Sequence, residues 1–340
     1  MFSKFRYILE RFSWIWKLTT LFVFLSPLLG LTQEAESQRG QHLPIIDAHS
    51  QFDQFVDLKE IMELLNQGGI SRIILSDRST QGIDRRKELL EFAVRYPDRI
   101  TPAVRTKGFG WNIGTDRMYS DFLNDQVKHS GYGAMAEVIS THAAMKNPFF
   151  ELKEDVMIPP DDPLIRAAVK VAKTKGWPFL IHIEFRYIAR HREVYMSKLE
   201  KLLSDYPSLP IGLMHMGQLE TGDVRRLIEK YSNVFFMMST CNTIIVRAAE
   251  RNDPGRGWIN IFEGFDLKPE WHKLLISYPD RFVVAFDNVF KGQWGPMYLQ
   301  QIGLWRRALS QLPAFVADAV AHKNAERLWK LPPAIPINKE

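Results

Sequence analysis

A single cysteine, Cys241, stands among 340 residues. It cannot close a disulfide within the chain and cannot build a thiolate metal centre, so any metal must sit among nitrogen and oxygen ligands. Low-complexity tracts and internal repeats are absent too. Nor is there a strong charge of one sign: the net is +5, of which residues 1–35 hold +2 through Lys4, Arg6, Arg11 and Lys17 against Glu10 and Glu34. The remaining excess is too small and too evenly spread to argue for nucleic acid. The uncharged apolar run Leu18–Leu31 contains Pro27 and is short for a spanning helix. Behind a basic stretch it reads as a secretory signal over residues 1–35, although no clean small-x-small cleavage pattern appears near Gly30 or Ala35. The expectation is an exported protein, periplasmic or extracellular. The alternative is an N-terminal membrane anchor, and the membrane would be touched only through that segment.

What remains has the size and the 46% hydrophobic, 24% charged balance of a globular protein, enough for one large α/β domain or two ordinary ones. From residue 44 onward short apolar runs alternate with amphipathic stretches. The runs at Ile45–Ala48, Arg72–Leu75, Thr101–Arg105, Gly133–Val138, Phe179–Ile183, Ile211–His215, Val234–Met238 and Phe282–Phe286 read as strands. Between them Asp57–Gly69, Asp84–Pro97, Met118–Gly131, Pro163–Gly176, Met196–Pro207, Thr221–Ser232 and Lys268–Pro279 carry helical spacing with Pro or Gly at the far end. "RYP", "DYP" and "SYP" each precede a new strand, as if one αβ connection were used three times. Eight apolar strands alternating with helices predict a single-domain (β/α)8 TIM barrel over residues 36–340, with an open doubly wound sheet as the alternative.

Polar residues gather where the strands stop. Strand one ends in His49 and Gln51, strand two in Asp77 and Arg78, strand three in Arg105 and strand four in Glu137. Strand five ends in His182 and Glu184, six in His215, seven in Ser239–Cys241 and eight in Asp287. In a barrel those C-terminal ends form one mouth, where the active site lies. Imidazoles and carboxylates converging from several strands are what a divalent cation needs. Taken singly, each has a plainer role, such as a hydrogen-bonded histidine, a cap at Glu137 or a turn at Asp287–Asn288.

The order of these residues resembles the amidohydrolase superfamily, in its amidohydrolase-related branch of hydrolases, lactonases and non-oxidative decarboxylases. "IIDAHSQ" stands for the family's strand-one D-x-H-x-H, "LIHIE" for its strand-five His, "GLMHMG" for its strand-six His, "VVAFDN" for its strand-eight Asp, and "NAERLW" for a C-terminal signature; the resemblance runs from about residue 44 to 331. It implies a metal held by His49, His182 and Asp287, with His215 as the catalytic or second-site histidine and Glu137 where some members carry a bridging carboxylate. Gln51 departs from the pattern, because an amide oxygen is a weaker donor to zinc than imidazole. One divalent metal, zinc first, is the expected cofactor, and a metal-free site is the alternative.

These residues imply hydrolysis of an amide, ester or lactone of a small carboxylated molecule, with Asp287 taking a proton from water and His215 steadying the developing charge. Arg78, Arg105, Arg186 and Glu184 are the candidate substrate contacts, guanidinium groups being suited to clamp a carboxylate. For Arg190 and Arg192 a solvated helix face is the plainer reading. Residues 251–265 and 290–298 have the Gly and aromatic content of lids, with Trp258 and Trp294 placed to stack on a ring or to pack beneath the loop. Non-oxidative decarboxylation on the same barrel, or a barrel that binds a ligand without turnover, are the alternatives. Homo-oligomers are compatible with all of them.

Overall fold

Apolar runs buried on both faces became parallel strands: β1 (Ile45–Phe52), β2 (Ile70–Asp77), β3 (Ile100–Val104), β4 in two pieces (Ala134–Met135 and Val138–Ile139), β5 (Phe179–His182), β6 (Ile211–Leu213), β7 (Val234–Met237) and β8 (Phe282–Val283). The computed structural model describes residues 42–80, 82–107, 115–147, 150–152, 154–252 and 257–337, so the leader expected over residues 1–35 lies outside the described residues. β1 pairs with β2, β2 with β3, and β3 with the first piece of β4; the second piece continues through β5, β6 and β7 to β8. Backbone bonds from Ala48 N to Val284 O (3.2 Å), Asp287 N to His49 O (2.8 Å) and Gln51 N to Asn288 O (2.6 Å) join the last strand segment to the first. The sheet therefore closes, and the fold is a (β/α)8 barrel, not an open doubly wound sheet.

Two apolar layers hold it. Ile46, Ala48, Ile74, Ala103, Ala134, Leu180, Phe235, Met237, Val283 and Ala285 fill the barrel, and Ala325, Leu328 and Trp329 of "NAERLW" pack into the same cluster. Asn324 seats that helix, its amide donating to Pro279 O (2.7 Å) and Phe282 O (2.9 Å). The larger cluster lies between strands and helices. Helix α1 (Leu58–Gly68) starts on an Asp57 cap and ends at Gly69 with φ of 66°, a conformation glycine adopts without Cβ strain. The three Tyr-Pro connections are one device. Tyr96, Tyr206 and Tyr278 end their helices at (φ, ψ) of (−129°, 60°), (−130°, 59°) and (−137°, 59°).

Departures from expectation cluster at the mouth. The strand expected over Gly133–Val138 is split, because its first half follows β3 and its second half β5. β6 stops at Leu213, since His215, Met216, Gly217 and Gln218 turn to φ between 52° and 62°. Short antiparallel hairpins (Thr141–His142 with Val156–Met157, and Phe262–Glu263 with Asp266–Leu267) and two helices (Thr243–Asn252 and Pro296–Ser310) stand where connections were expected. No helix among the described residues is long and apolar enough to cross a membrane.

Candidate functional site

Strand geometry aims the first two groups. In β1, Ile46 and Ala48 face the barrel interior while Ile45 and Phe52 face the outer layer, so the alternation changes phase between them. The change falls at a register shift between Asp47 and Ser50, a bulge that turns His49 and Gln51 inward. Asp47 fixes the bend, accepting from Ser50 Oγ (2.7 Å), Tyr298 OH (3.1 Å) and Phe286 N (3.1 Å). Burial pushes its pKa up to about 7. Trp294 packs below the rim and donates its indole N–H to Gln51 O (3.2 Å), so it is a brace and not a lid. His215 (φ 52°) and Asp287 (φ 51°) both sit in the left-handed region. For non-glycine residues that costs roughly 1–2 kcal/mol each, and it concentrates where side chains must be aimed off a strand end.

The side chains meet. Asp287 lies with Oδ1 at 3.4 Å from His49 Nε2 and 3.1 Å from Gln51 Nε2, and with Oδ2 at 3.5 Å from His215 Nε2. Glu137 places Oε2 at 3.0 Å from His182 Nδ1 and 4.0 Å from His215 Nε2, and the two imidazoles are 3.2 Å apart at those nitrogens. Gln51 Nε2 also reaches Glu137 Oε1 (3.4 Å) and His49 Nε2 (3.5 Å). His49, Gln51, Glu137, His182, His215 and Asp287 are all buried. Five strand ends thus contribute to one buried cluster.

One member has no counterpart in the expectations. Lys107, three residues past β3, forms an ion pair with Glu137 and donates to Gln51 Oε1 (3.3 Å). Arg105, the residue of this segment expected to meet substrate, has its guanidinium on Asp77 (3.1 Å), Lys107 O and Ser79 O. Ser239, at the end of strand seven, faces His215 Nδ1 through its hydroxyl (3.0 Å), and His142, which the sequence did not single out, has its ring centroid 5.2 Å from that of His182.

The remaining substrate candidates divide. Arg78 is half-buried at the mouth, and its charge interacts with Glu137, Asp77 and Asp287. Burial, helped by Arg105, lowers its pKa to about 10 against those carboxylates. Glu184 lies behind His182, accepting at Oε1 from Nε2 (3.0 Å), with Ala143 N on its other oxygen (3.1 Å). Arg186 lies at the surface beside Glu220 (3.8 Å). Trp258 stands edge-on to His215 with ring centroids 5.6 Å apart, so the connection after β7 reaches the site; its residues 253–256 lie outside the described residues.

Neighbouring charges set the titration. Burial pushes Glu137 upward, but the Lys107 ammonium and the adjacent imidazoles outweigh it and hold the carboxyl well below its ordinary range. Burial pulls His182 down, yet Glu137 and Glu184, one on each ring nitrogen, raise it to about 9. His215, desolvated and next to that charge, falls to about 4. At neutral pH the cluster holds one imidazolium beside one neutral imidazole, a division of acid and base between touching groups.

Among the described residues three sets of side chains are close enough for a cation: His49 with Glu137 and Asp287, Glu137 with His182 and His215, and His142 with His182 and Glu184. The Glu137–His182–His215 set fits. Its separations of 3.0, 3.2 and 4.0 Å bracket the ~3.4 Å edge of a tetrahedron with ~2.1 Å bonds. Each imidazole is also held from behind, His182 by Glu184 and His215 by Ser239, as ligating histidines require. The strand-one set does not fit. His49 Nδ1 is buried with no hydrogen-bond partner, and an amide nitrogen, which offers a metal no lone pair, lies within 3.5 Å of one side-chain atom of each of the three residues.

A family model described as amidohydrolase matches residues 147–331. No curated protein matches the sequence. Among solved structures, 2,6-dihydroxybenzoate decarboxylase from Rhizobium is similar at 15% identity and a TM-score of 0.51, over 86% of this chain and 99% of the other. Dihydroorotase from Saccharomyces cerevisiae is similar at 10% identity and a TM-score of 0.52, over 86% and 85%. An uncharacterized TIM-barrel protein from Bordetella bronchiseptica gives 16% and 0.50, over 81% and 83%. These likenesses speak for the barrel alone. With the family model spanning more than half of its length, the chain belongs to the amidohydrolase family.

Proposed function

We propose that the chain hydrolyses an ester, lactone or amide of a small carboxylated molecule at the barrel mouth. The observation that carries the reading is the placement of Asp287 Oδ2 3.5 Å from His215 Nε2, with the His182 imidazolium 3.2 Å beyond. One base and one positive charge thus lie beside a single neutral imidazole. Asp287 takes the proton from an attacking water and returns it to the leaving group. His182 has both ring nitrogens on carboxylates, Glu137 at Nδ1 and Glu184 at Nε2, so its positive charge acts through space on the oxygen where negative charge develops. Neutral His215 orients the water between them. Arg78, half-buried at the mouth, is the guanidinium placed to meet an anionic substrate. With His182 deprotonated at Nδ1, a divalent cation held by Glu137, His182 and His215 would replace that charge, polarise the carbonyl and acidify a bound water.

A panel of lactones, esters and amides bearing a carboxylate tests this reading, run with the wild type, with Asp287→Asn and in the presence of chelator. Turnover by the wild type that Asp287→Asn abolishes supports it; activity retained by Asp287→Asn excludes the base. The proton held between His182 Nδ1 and Glu137 Oε2, 3.0 Å apart, also favours a second reading, non-oxidative decarboxylation. There the carboxylate leaves as carbon dioxide and the electron pair left on carbon takes up that proton. Carbon dioxide evolution from an aryl or enoic acid identifies it. Residues 1–35 complete the proposal as an export signal or membrane anchor, which N-terminal sequencing of mature protein from the native host would decide.

A further inference from the structure

Gln51 stands out among the buried groups at the mouth because its orientation is dictated from both ends. Its nitrogen lies 3.1 Å from Asp287 Oδ1, 3.4 Å from Glu137 Oε1 and 3.5 Å from His49 Nε2, one atom of each residue in the strand-one set. Its oxygen accepts from Lys107 Nζ at 3.3 Å. To offer that oxygen to a cation, the amide would have to turn over. The turn would set its N–H2 against the ammonium, donor facing donor, and its oxygen against two carboxylates. Lys107 is itself fixed by its ion pair with Glu137, with only 6% of its side chain exposed.

We propose that Gln51 and Lys107 form a built-in plug: the lysine ammonium locks the amide so that its N–H2 fills the strand-one cation position with a hydrogen-bond donor. Divalent ions are thereby confined to the strand-four-to-six side. Lys107 acts as a positioning residue here. It reaches the strand-one position only through Gln51 and Glu137, and it supplies a fixed positive charge where an ion would otherwise balance Glu137 and Asp287. The unpartnered His49 Nδ1 agrees with this, since an imidazole that ligates a metal needs its second nitrogen held. The inference rests on the side chains of the site and not on the reaction assigned to them.

The test is metal stoichiometry, measured by equilibrium dialysis of chelator-stripped full-length protein against Zn2+ or Mn2+ with elemental analysis. Gln51→His raises ion uptake, and Gln51→His with Lys107→Met raises it further, to one ion per chain more than the wild type. His49→Asn removes the added ion and leaves the wild-type content unchanged. Lys107→Arg, which keeps the charge, gains nothing. The inference is overturned by a wild-type ion that His49→Asn removes, or by a double variant, folded by circular dichroism, that takes up no more than the wild type. If the double variant does not fold, His49→Asn and Lys107→Arg decide. A wild type with no ion contradicts the Glu137–His182–His215 assignment instead, and the gain in the double variant still reads the plug.

Discussion

Lys107→Met is the most informative single change, because it removes one half of a buried ion pair and leaves the other half in place. The side chains of Lys107 and Glu137 are 6% and 3% exposed. Taking away one partner of such a pair strands a desolvated charge, at a cost of about 3–5 kcal/mol. Glu137 keeps His182 at 3.0 Å and the Gln51 amide at 3.4 Å, which places the loss at the lower end, about 3 kcal/mol. For a chain of this size that is a fall in Tm of roughly 6 °C. The assay is urea denaturation of the wild type, Lys107→Met, Glu137→Gln and the double variant. The two single losses should sum to more than the loss in the double variant, with a coupling of ~2 kcal/mol. Added salt should leave the difference unchanged, since the pair is shielded from ions. A Lys107→Met protein within ~0.5 kcal/mol of the wild type, or losses that simply add, would refute the reasoning.

Three further changes probe the site and the fold that holds it. Asp287→Asn should lower turnover by ~10²–10⁴ while the fold, followed by circular dichroism, is kept. Glu200→Gln should flatten the acid limb of stability. Burial raises Glu200, but Lys230, Arg226 and Tyr231 outweigh it and hold the carboxyl near 2 against an ordinary 4.5. A depressed acid stabilises the fold above its unfolded pKa and loses that contribution as pH falls from about 4.5 towards 2. The wild type should therefore shed on the order of 1–2 kcal/mol more than the variant across that window in urea titrations, the ion pairs being partly screened; parallel pH profiles would contradict this. Gly212→Ala should destabilise by roughly 1–3 kcal/mol. Its Cβ would lie 2.5 Å from Phe235 and 2.7 Å from Leu180 inside the barrel, and a neutral effect on the urea midpoint would show that the interior can yield.

The barrel was legible because its strands are buried on both faces and so stand out as unbroken apolar runs, with Tyr-Pro punctuation ending three of the helices. His49, His182, His215 and Asp287 were legible because each sits where such a run stops. Strand one was the more demanding case: without the bulge at Asp47–Ser50, the alternation that buries Ile46 and Ala48 would have carried Ser50 inward in place of His49 and Gln51. Strand one also lies outside the residues the family model matches. Lys107 was not legible. It lies beyond the last residue of β3, where periodicity no longer says which way a side chain points, and Arg105 two positions earlier turns away to Asp77 and Ser79. Glu184 was found, but in another role, because sequence spacing cannot distinguish a residue that meets a substrate from one that holds a histidine. The turns of His215 and Asp287 into left-handed backbone are tertiary effects that override their local preference for extended structure.

If Asp287 activates water for hydrolysis, as proposed, an oxygen of that water ends up in the product. Reaction in 18O-labelled water with mass analysis of the product measures this directly on any substrate the panel yields. One labelled oxygen in the new carboxylate, at a rate that collapses in Asp287→Asn, is the result expected. An unlabelled product released with carbon dioxide, or labelling at an undiminished rate in Asp287→Asn, would contradict it.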